Sequence, residues 1–320
     1  MIYDIKVLSE ISKKHGYVRN TYEKVLRLVS ILKFINYDTR VKGKLALKGG
    51  TALNLLYDDL PRLSVDIDLD YTNHLDKNLM LNERISINKA LIDYFTSEDY
   101  RISKHSKKTY SLDSHVLSYT PCGGGSDNIK VEINYSMRGH LLPYQYLPIN
   151  NDSIVESTCF YAVSKLEIYA GKINALISRS QIRDLYDVHR IIQYHHITYE
   201  EILLLRNIFL VYRVISGNEV KIEFDINHIE RITKKTYIRQ LIPVLRKDDD
   251  FDFDLAMQVV KDFVNELLKF DASQDQFIKL ANEGILDFSL LFTDDSILEK
   301  VNKHPMLLWK LHKNQSKNRR

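Results

Sequence analysis

From Leu63 to Tyr71 the chain alternates without a break: Leu63, Val65, Ile67, Leu69 and Tyr71 are apolar, and Ser64, Asp66, Asp68 and Asp70 between them are polar. A period of two marks a strand with one apolar and one polar face, because successive side chains point to opposite sides. IKVEINYS, residues 129–136, repeats the period with Glu132 between Val131 and Ile133, and predicts a second strand able to lie beside the first. The run from Arg101 to Thr120 is rich in strand-forming residues, and GGGSDN (123–128) fits a hairpin connection into the second strand.

Elsewhere the period lengthens to that of a helix. Val18, Tyr22, Val25, Leu26, Leu28 and Val29 predict one opening helical segment from Ile11 to Asn36, and LMLNERISINKALIDYFT predicts another from Leu79 to Thr96. Between them Gly43 breaks the pattern, LALK follows, and Gly49, Gly50 and Thr51 lead into ALNLLY, which reads as a glycine turn opening a helix. From Val155 onward the chain becomes almost wholly helical, with candidate helices near 160–178, 181–195, 199–216, 227–246, 253–270, 273–283 and 295–313. The fold class expected is α+β: a mixed sheet with flanking helices over residues 1–150, then a mainly helical lobe over 151–320, divided near LPINNDS. The basic tail KLHKNQSKNRR is expected to fray.

Composition narrows the class without naming a partner. With 320 residues, 44% hydrophobic and 27% charged, the chain can bury a substantial core. The charged N-terminus lacks the apolar core of a secretory signal, and no stretch reaches the ~20 apolar residues of a membrane span. Cys122 and Cys159 are the only cysteines, too few for a disulfide framework, so a cytoplasmic protein that does not enter a membrane is expected. A net charge of +3 leaves a nucleic-acid partner open.

The acids on the polar face of the first strand carry the candidate chemistry. Asp66 and Asp68 project to one side, roughly 6–7 Å apart along the backbone, a spacing able to seat Mg²⁺ or Mn²⁺, hard cations that favour carboxylate, phosphate and water oxygens. A DxD pair alone is common. The chain has another at Asp252 and Asp254, where an acidic run is expected only to cap a helix. What distinguishes Asp66 and Asp68 is the preceding glycine turn, since free N–H groups at a helix start attract phosphate and glycine permits close approach. Glu132 on the neighbouring strand can add a third carboxylate, or can be an exposed polar position. Asp70 extends the acidic run and can ligate metal or only solvate the strand end, of which solvation is the expectation.

A second block lies in YAVSKLEIYAGKINALISRSQIRDLYDVHRI. Lys165, Lys172 and Arg179 are seven apart and form a stripe, which reads as a solvated face or, turned toward the acidic strand, as a cradle for a triphosphate. Arg183 and Asp187, four apart, can pair on one helix face. His189, His195 and His196 make no zinc signature with the two cysteines and read as structural.

These blocks carry a family resemblance. The order "GG-T" before a helix, "hDhDh" on a strand (h hydrophobic) and "hEh" on another resembles the polymerase-beta-like nucleotidyltransferase superfamily. Within it, GGTALNLLY, RLSVDIDLD, VEINY and KINALISRSQIRDLYDV look like the AbiEii family of nucleotidyltransferase toxins, which includes the mycobacterial MenT type; the likeness spans about residues 45–190. It implies an enzyme that transfers a nucleotide from a nucleoside triphosphate, with Mg²⁺ (or Mn²⁺) held by Asp66, Asp68 and Glu132. It implies phosphate binding by Gly49, Gly50, Thr51 and Ser64, with Arg62 matching the "RxS" of the pattern. Lys172 is then the nucleotide-binding lysine and Asp187 its acidic counterpart, with Asp184 the competing assignment; catalysis falls to Asp66, Asp68, Glu132, Lys172 and Asp187.

The resemblance also implies the toxin of a toxin–antitoxin (abortive infection) system, with a cognate antitoxin and an RNA acceptor, in first place the tRNA 3′ end, so that translation is blocked. Lys234, Lys235, Arg239, Arg246 and the tail are candidates for its phosphates. Three rivals stand beside this expectation: an enzyme that nucleotidylates (AMPylates) a protein hydroxyl, a drug-modifying nucleotidyltransferase, and a catalytically silent RNA- or protein-binding module.

Overall fold

The computed structural model describes residues 3–154, 158–217, 220 and 222–317, with side chains to residue 313. The chain divides into two compact units: one holds the residues up to Arg138 with Tyr144–Val163 and Pro243–Asp249, the other Gly139–Pro143, Ser164–Ile242 and Asp250 onward. Val155, where the helical half is expected to begin, lies outside the described residues.

In the first unit the predicted opening helix is two. Helix α1 (Ile5–Lys14) starts at Asp4, whose carboxylate accepts from the N–H groups of Lys6 and Val7. Gly16, at φ +76, is left-handed and cannot extend a right-handed helix, so α2 (Arg19–Tyr37) begins afresh. A short strand β1 (Leu45–Leu47), a single turn α3 (Gly49–Ala52) and a π-turn (Leu53–Tyr57) lead to β2 (Asp66–Tyr71). The alternating run is therefore strand only in its second part. Leu63 instead donates its N–H to the Val244 carbonyl at 2.7 Å, and Arg62 bridges Leu245, so this segment holds Pro243–Asp249 in the unit. Next come α4 (Lys77–Ser97), β3 (Arg101–Ile102), β4 (Lys107–Lys108), β5 (Leu112–Tyr119), β6 (Asp127–Asn134), β7 (Gln145–Leu147) and β8 (Phe160–Ala162).

Among the described residues these eight strands form one mixed sheet, ordered β3-β5-β6-β2-β1-β8-β7 with β4 also on β5. The β2–β6 and β1–β8 pairs are parallel and the others antiparallel. Ile67, Leu69, Leu117, Ile129, Val131 and Ile133 are all buried, as are Met80, Ile87, Leu91 and Phe95 of α4. Burying each such side chain stabilises the fold by roughly 1.5–3 kcal/mol. A buried ion pair ties α4 to the sheet. Arg84 Nε donates to Asp113 Oδ2 at 2.9 Å, Asn88 donates to the same oxygen at 2.7 Å, and the guanidinium lies 4.4 Å over the Tyr135 ring.

The second unit is helical: α5 (Lys165–Ser178), α6 (Ile182–Tyr194), α7 (Tyr199–Ser216), the turns α8 (Asn227–Glu230) and α9 (Lys234–Thr236), then α10 (Phe253–Leu267), α11 (Ala272–Asn282), α12 (Asp295–Asn302) and α13 (Pro305–Lys317). Three predicted helices need correction. The first loses residues 160–162 to β8, the run 227–246 breaks into short turns, and the last splits at His304 and Pro305. Asp252 accepts from the N–H groups of Asp254 and Leu255 and caps α10, the role expected of that second DxD.

Glu167 of α5 is fully buried and accepts from the Leu141 N–H at 2.9 Å and the Tyr212 hydroxyl at 2.7 Å, with His140 Nδ1 at 3.2 Å. Burial alone would raise its pKa, but His140, Tyr212 and the Leu141 N–H outweigh that and hold it below the ordinary carboxylate range. Lys310 of α13 is 2% exposed and donates to the carbonyls of Val214 and Gly217 at the end of α7. The start of the basic tail is thus packed, not frayed.

Candidate active site

Within the first unit the parallel β2–β6 register sets Asp66 beside Lys130, Asp68 beside Glu132 and Asp70 beside Asn134. Residues paired in this way share a face. Asp66, Asp68, Glu132 and Lys130 therefore stand on one face of the sheet, while Ile67, Leu69, Val131 and Ile133 are buried on the other side. Lys130 pairs with Glu132 at 2.8 Å, and the two side chains remain 41% and 26% exposed. Burial opposes the charge on Lys130, but the hydrogen bond to Glu132 and the charges of Glu132, Asp66 and Asp68 prevail and raise its pKa. Strand alternation carries the signal for this lysine, two residues before Glu132, although the sequence pattern draws notice only to the acid.

Asp70 is not a solvated strand end. It is 1% exposed, and Lys48, the residue before the glycine pair, donates to it at 2.6 Å. Lys48 is a second cation that the motif spacing does not single out. Its backbone N–H also donates to the Asp68 carbonyl at 2.9 Å, which fixes the glycine turn against the acidic strand.

The turn needs glycine for two reasons. Gly49 has φ +69, and a Cβ built there would stand 2.8 Å from Asp68 Oδ2. The Thr51 hydroxyl lies 2.8 Å from Ser64 Oγ and also hydrogen-bonds the Asp66 carbonyl. Thr51 is 2% exposed, so its hydroxyl serves to lock α3 to the start of β2, and Ser64 is the more accessible of the two. Gly50 is buried in the same turn and its carbonyl accepts from Asn54 at 2.8 Å. Arg62, 3% exposed, lies in the bridge to Leu245.

Within the second unit, Lys172 of α5 donates to Asp187 of α6 at 2.6 Å and lies 3.5 Å from Asp184. Arg179, just past the end of α5, pairs with Asp184 at 2.7 Å. Both acids are nearly fully buried, at 2% for Asp184 and 1% for Asp187. Asp187 takes the Lys172 ammonium, and the Arg183 guanidinium donates to the Gln240 carbonyl at 3.2 Å. The stripe is not a common face: Lys165 pairs with Glu201 at 3.0 Å and Arg179 has left the helix.

Among the described residues no three His, Cys, Asp or Glu side chains are gathered as a metal-holding group. Asp66 and Asp68 nonetheless fit the smaller demand of Mg²⁺ or Mn²⁺, one or two carboxylates completed by phosphate and water. A cationic group already sits among these acids in the form of Lys130. His189 packs edge-on against Phe251 and His195 bonds the Tyr169 hydroxyl at 2.7 Å, which are structural roles. Arg246 belongs to the first unit, pairing with Asp59 and Asp248, so it does not join Lys234, Lys235 and Arg239 on one lobe.

Residues 36–272 match the family model described as nucleotidyl transferase AbiEii toxin, type IV toxin–antitoxin system. The chain belongs to the AbiEii family. It is therefore a nucleotidyltransferase, with a nucleoside triphosphate as substrate and an antitoxin as partner. The fold agrees: MenT4, a nucleotidyltransferase toxin from Mycobacterium tuberculosis H37Rv, superposes with a TM-score of 0.64 over 94% of this chain and 98% of its own. At 13% identity that likeness shows the α+β fold of a MenT toxin and nothing finer. No curated protein matches the chain by sequence. Among the described residues no helix of this AbiEii protein is long and apolar enough to cross a membrane.

Proposed function

We propose that this AbiEii protein is a metal-dependent nucleotidyltransferase of the cytoplasm that adds a nucleotide to an RNA hydroxyl, in first place the tRNA 3′ end, and so blocks translation. The observation that carries the chemistry is the β2–β6 register, which places Asp66, Asp68 and Glu132 on one face with Lys130 among them. Asp66 and Asp68, with Glu132, would hold Mg²⁺ or Mn²⁺. The bound ion would supply charge neutralisation at the α-phosphate and at the leaving pyrophosphate.

The chain's own residues do the rest. The Gly49–Gly50 turn and Ser64 hold phosphate oxygens, with Thr51 fixing Ser64 in place. Lys172, anchored by Asp187, supplies positive charge to the nucleotide, a role that rests on the family resemblance. The acceptor oxygen bonds to the α-phosphorus as the bond to the β-phosphate breaks. Pyrophosphate takes the electron pair, and the hydroxyl proton passes to a base; general base is the alternative role of Glu132 to metal ligation.

The test is transfer of label from each α-labelled nucleoside triphosphate to total cellular RNA in the presence of Mg²⁺. The wild type should extend tRNA at its 3′ end. Asp66→Ala should keep its fold and lose transfer, and undiminished transfer by that variant would sink the assignment. Labelled protein in place of labelled RNA would point to a protein-nucleotidylating enzyme.

A further inference from the structure

The acidic face continues across the sheet, and away from the acids it becomes cationic. The registers align Asp68 with Glu132, Glu132 with Ser114 of β5, and Ser114 with Lys107 of β4. One row of four side chains thus crosses β2, β6, β5 and β4 on a single face. The next row runs Asp66, Lys130, Val116, and the one after it Asn128, Ser118 and Arg101 of β3. Val116 and Ser118 are half-exposed, and Arg101, Lys104 and Lys107 are exposed. Those three cations make no ion pair or side-chain hydrogen bond among the described residues. Lys108, by contrast, turns to the opposite face, where its charge acts on Asp113 and His115.

We infer that this β3–β4 edge is the track for the phosphodiester backbone of the acceptor RNA, which approaches the acids as a single strand past the exposed Arg101, Lys104 and Lys107 and the half-exposed Val116 and Ser118, with Ser114 buried beneath it. The inference rests on the proposed nucleotidyl transfer to RNA and adds where the acceptor lies. In an in-line displacement the attacking hydroxyl enters opposite the leaving pyrophosphate. Gly49 follows β1, which borders β2 on the side away from β6, and Ser64 is tied to the same turn through Thr51. Phosphates held there leave toward β1, so the hydroxyl arrives from β6, the side on which Glu132, Ser114 and Lys107 follow in line.

The spacing suits such a strand. Three strand-to-strand steps of about 4.8 Å put Lys107 about 14 Å from Asp68, the length of about four stacked nucleotides at ~3.4 Å each. Unpaired, exposed lysine and arginine next to an uncharged strand face, with Val116 and Ser118 half-exposed on it, is chemistry that takes phosphate without reading sequence. An acidic polypeptide is the competing occupant.

The experiment is the affinity of the full-length protein for a short fluorescein-labelled single-stranded RNA, followed by anisotropy across a salt series. The wild type is compared with Arg101→Ala/Lys104→Ala/Lys107→Ala. Each lost single-strand contact lowers the slope of log K against log salt by about 0.7, so the triple variant should lose about 2 from the slope and about a hundredfold in affinity at 0.1 M salt. Lys104→Arg/Lys107→Arg should restore binding to the wild-type range, and an unchanged thermal midpoint in all three proteins reports the fold. Equal affinity and slope in wild type and triple variant overturns the inference, as does a wild type that binds polyglutamate and not RNA. Asp66→Ala, assayed alongside, separates the two readings: it should bind RNA as the wild type does. If it also still transfers label, the catalytic assignment fails while the track stands.

Discussion

Gly49→Ala is the substitution on which the geometry of the site can be judged most directly. The residue sits at φ +69, where an L side chain costs about 1–2 kcal/mol. Its new Cβ would also stand 2.8 Å from Asp68 Oδ2, 3.4 Å from Asp68 Cβ and 3.5 Å from Cγ. The first distance is below any normal contact, and the other two leave little room for the carboxylate to slide past. Asp68 must turn off its rotamer, at about 0.5–1.5 kcal/mol, or the whole turn must retreat from β2. Together these come to about 2–3 kcal/mol, a fall in thermal midpoint of roughly 4–12 °C for a chain of this size.

The activity loss should be larger than that stability loss suggests, since a ~1 Å misplacement of a reacting group costs about a hundredfold. Gly171→Ala is the opposite control. Nothing lies within 4 Å of its added Cβ in the middle of α5, so the variant should gain about 0.5–1 kcal/mol and melt higher. Differential scanning calorimetry of both variants and label transfer by Gly49→Ala provide the check. A Gly49→Ala protein that melts with the wild type and keeps its activity within twofold would refute the close approach of this turn to Asp68.

Two further perturbations address the buried charges that frame each unit. Asp113→Ala leaves the buried Arg84 guanidinium without its carboxylate and should cost about 3–5 kcal/mol, read as a large drop in thermal midpoint. Burial would raise the Asp113 pKa, but Arg84 and Asn88 lower it, so its stabilisation is complete above the ordinary value of 3.8 and is lost as pH falls through the lower folded value. Asp113→Asn should flatten that acid limb, and an unchanged limb would contradict the assignment. Lys310 works in the other direction, because desolvation, with repulsion from Lys313 added to it, pushes its pKa down to about 8 from 10.5. Between those values the unfolded chain binds more protons than the folded one, so stability should rise with pH across that window by up to about 3 kcal/mol. The rise should be absent in Lys310→Met, and a rise of equal size in that variant would reject the role of Lys310.

What could be read in advance was whatever a local period encodes. β2 and β6 show their alternation because one face is buried and the other polar, and that was enough to place Asp66, Asp68 and Glu132 on strands. β8 was hidden. Phe160–Ala162 is three residues long, with one register pair to β1, and it runs directly into the apolar pattern of α5. The break before α13 did carry a signal, since Pro305 is the first helical residue and proline is at home there. Non-local pairing left no such trace: nothing near Asp70 in sequence says that Lys48 will reach it, or that Leu63 will turn to Val244 in place of extending the strand.

The same register that gathers the acids also sorts them. Asp70 is 1% exposed, and its ammonium partner Lys48 is fixed in the backbone of the glycine turn, so removing that cation would take a counter-charge from a buried carboxylate. That pair is committed to holding β1 and β2 at the site. The Lys130–Glu132 pair is 41% and 26% exposed, and solvent-exposed pairs are worth at most about 1 kcal/mol. Its ammonium is therefore held loosely enough to yield to a more highly charged partner. Equal in the primary sequence, the acids of this face differ in their surroundings: Asp70 pairs with Lys48 while 1% exposed, whereas Glu132 meets Lys130 where both side chains are open to solvent.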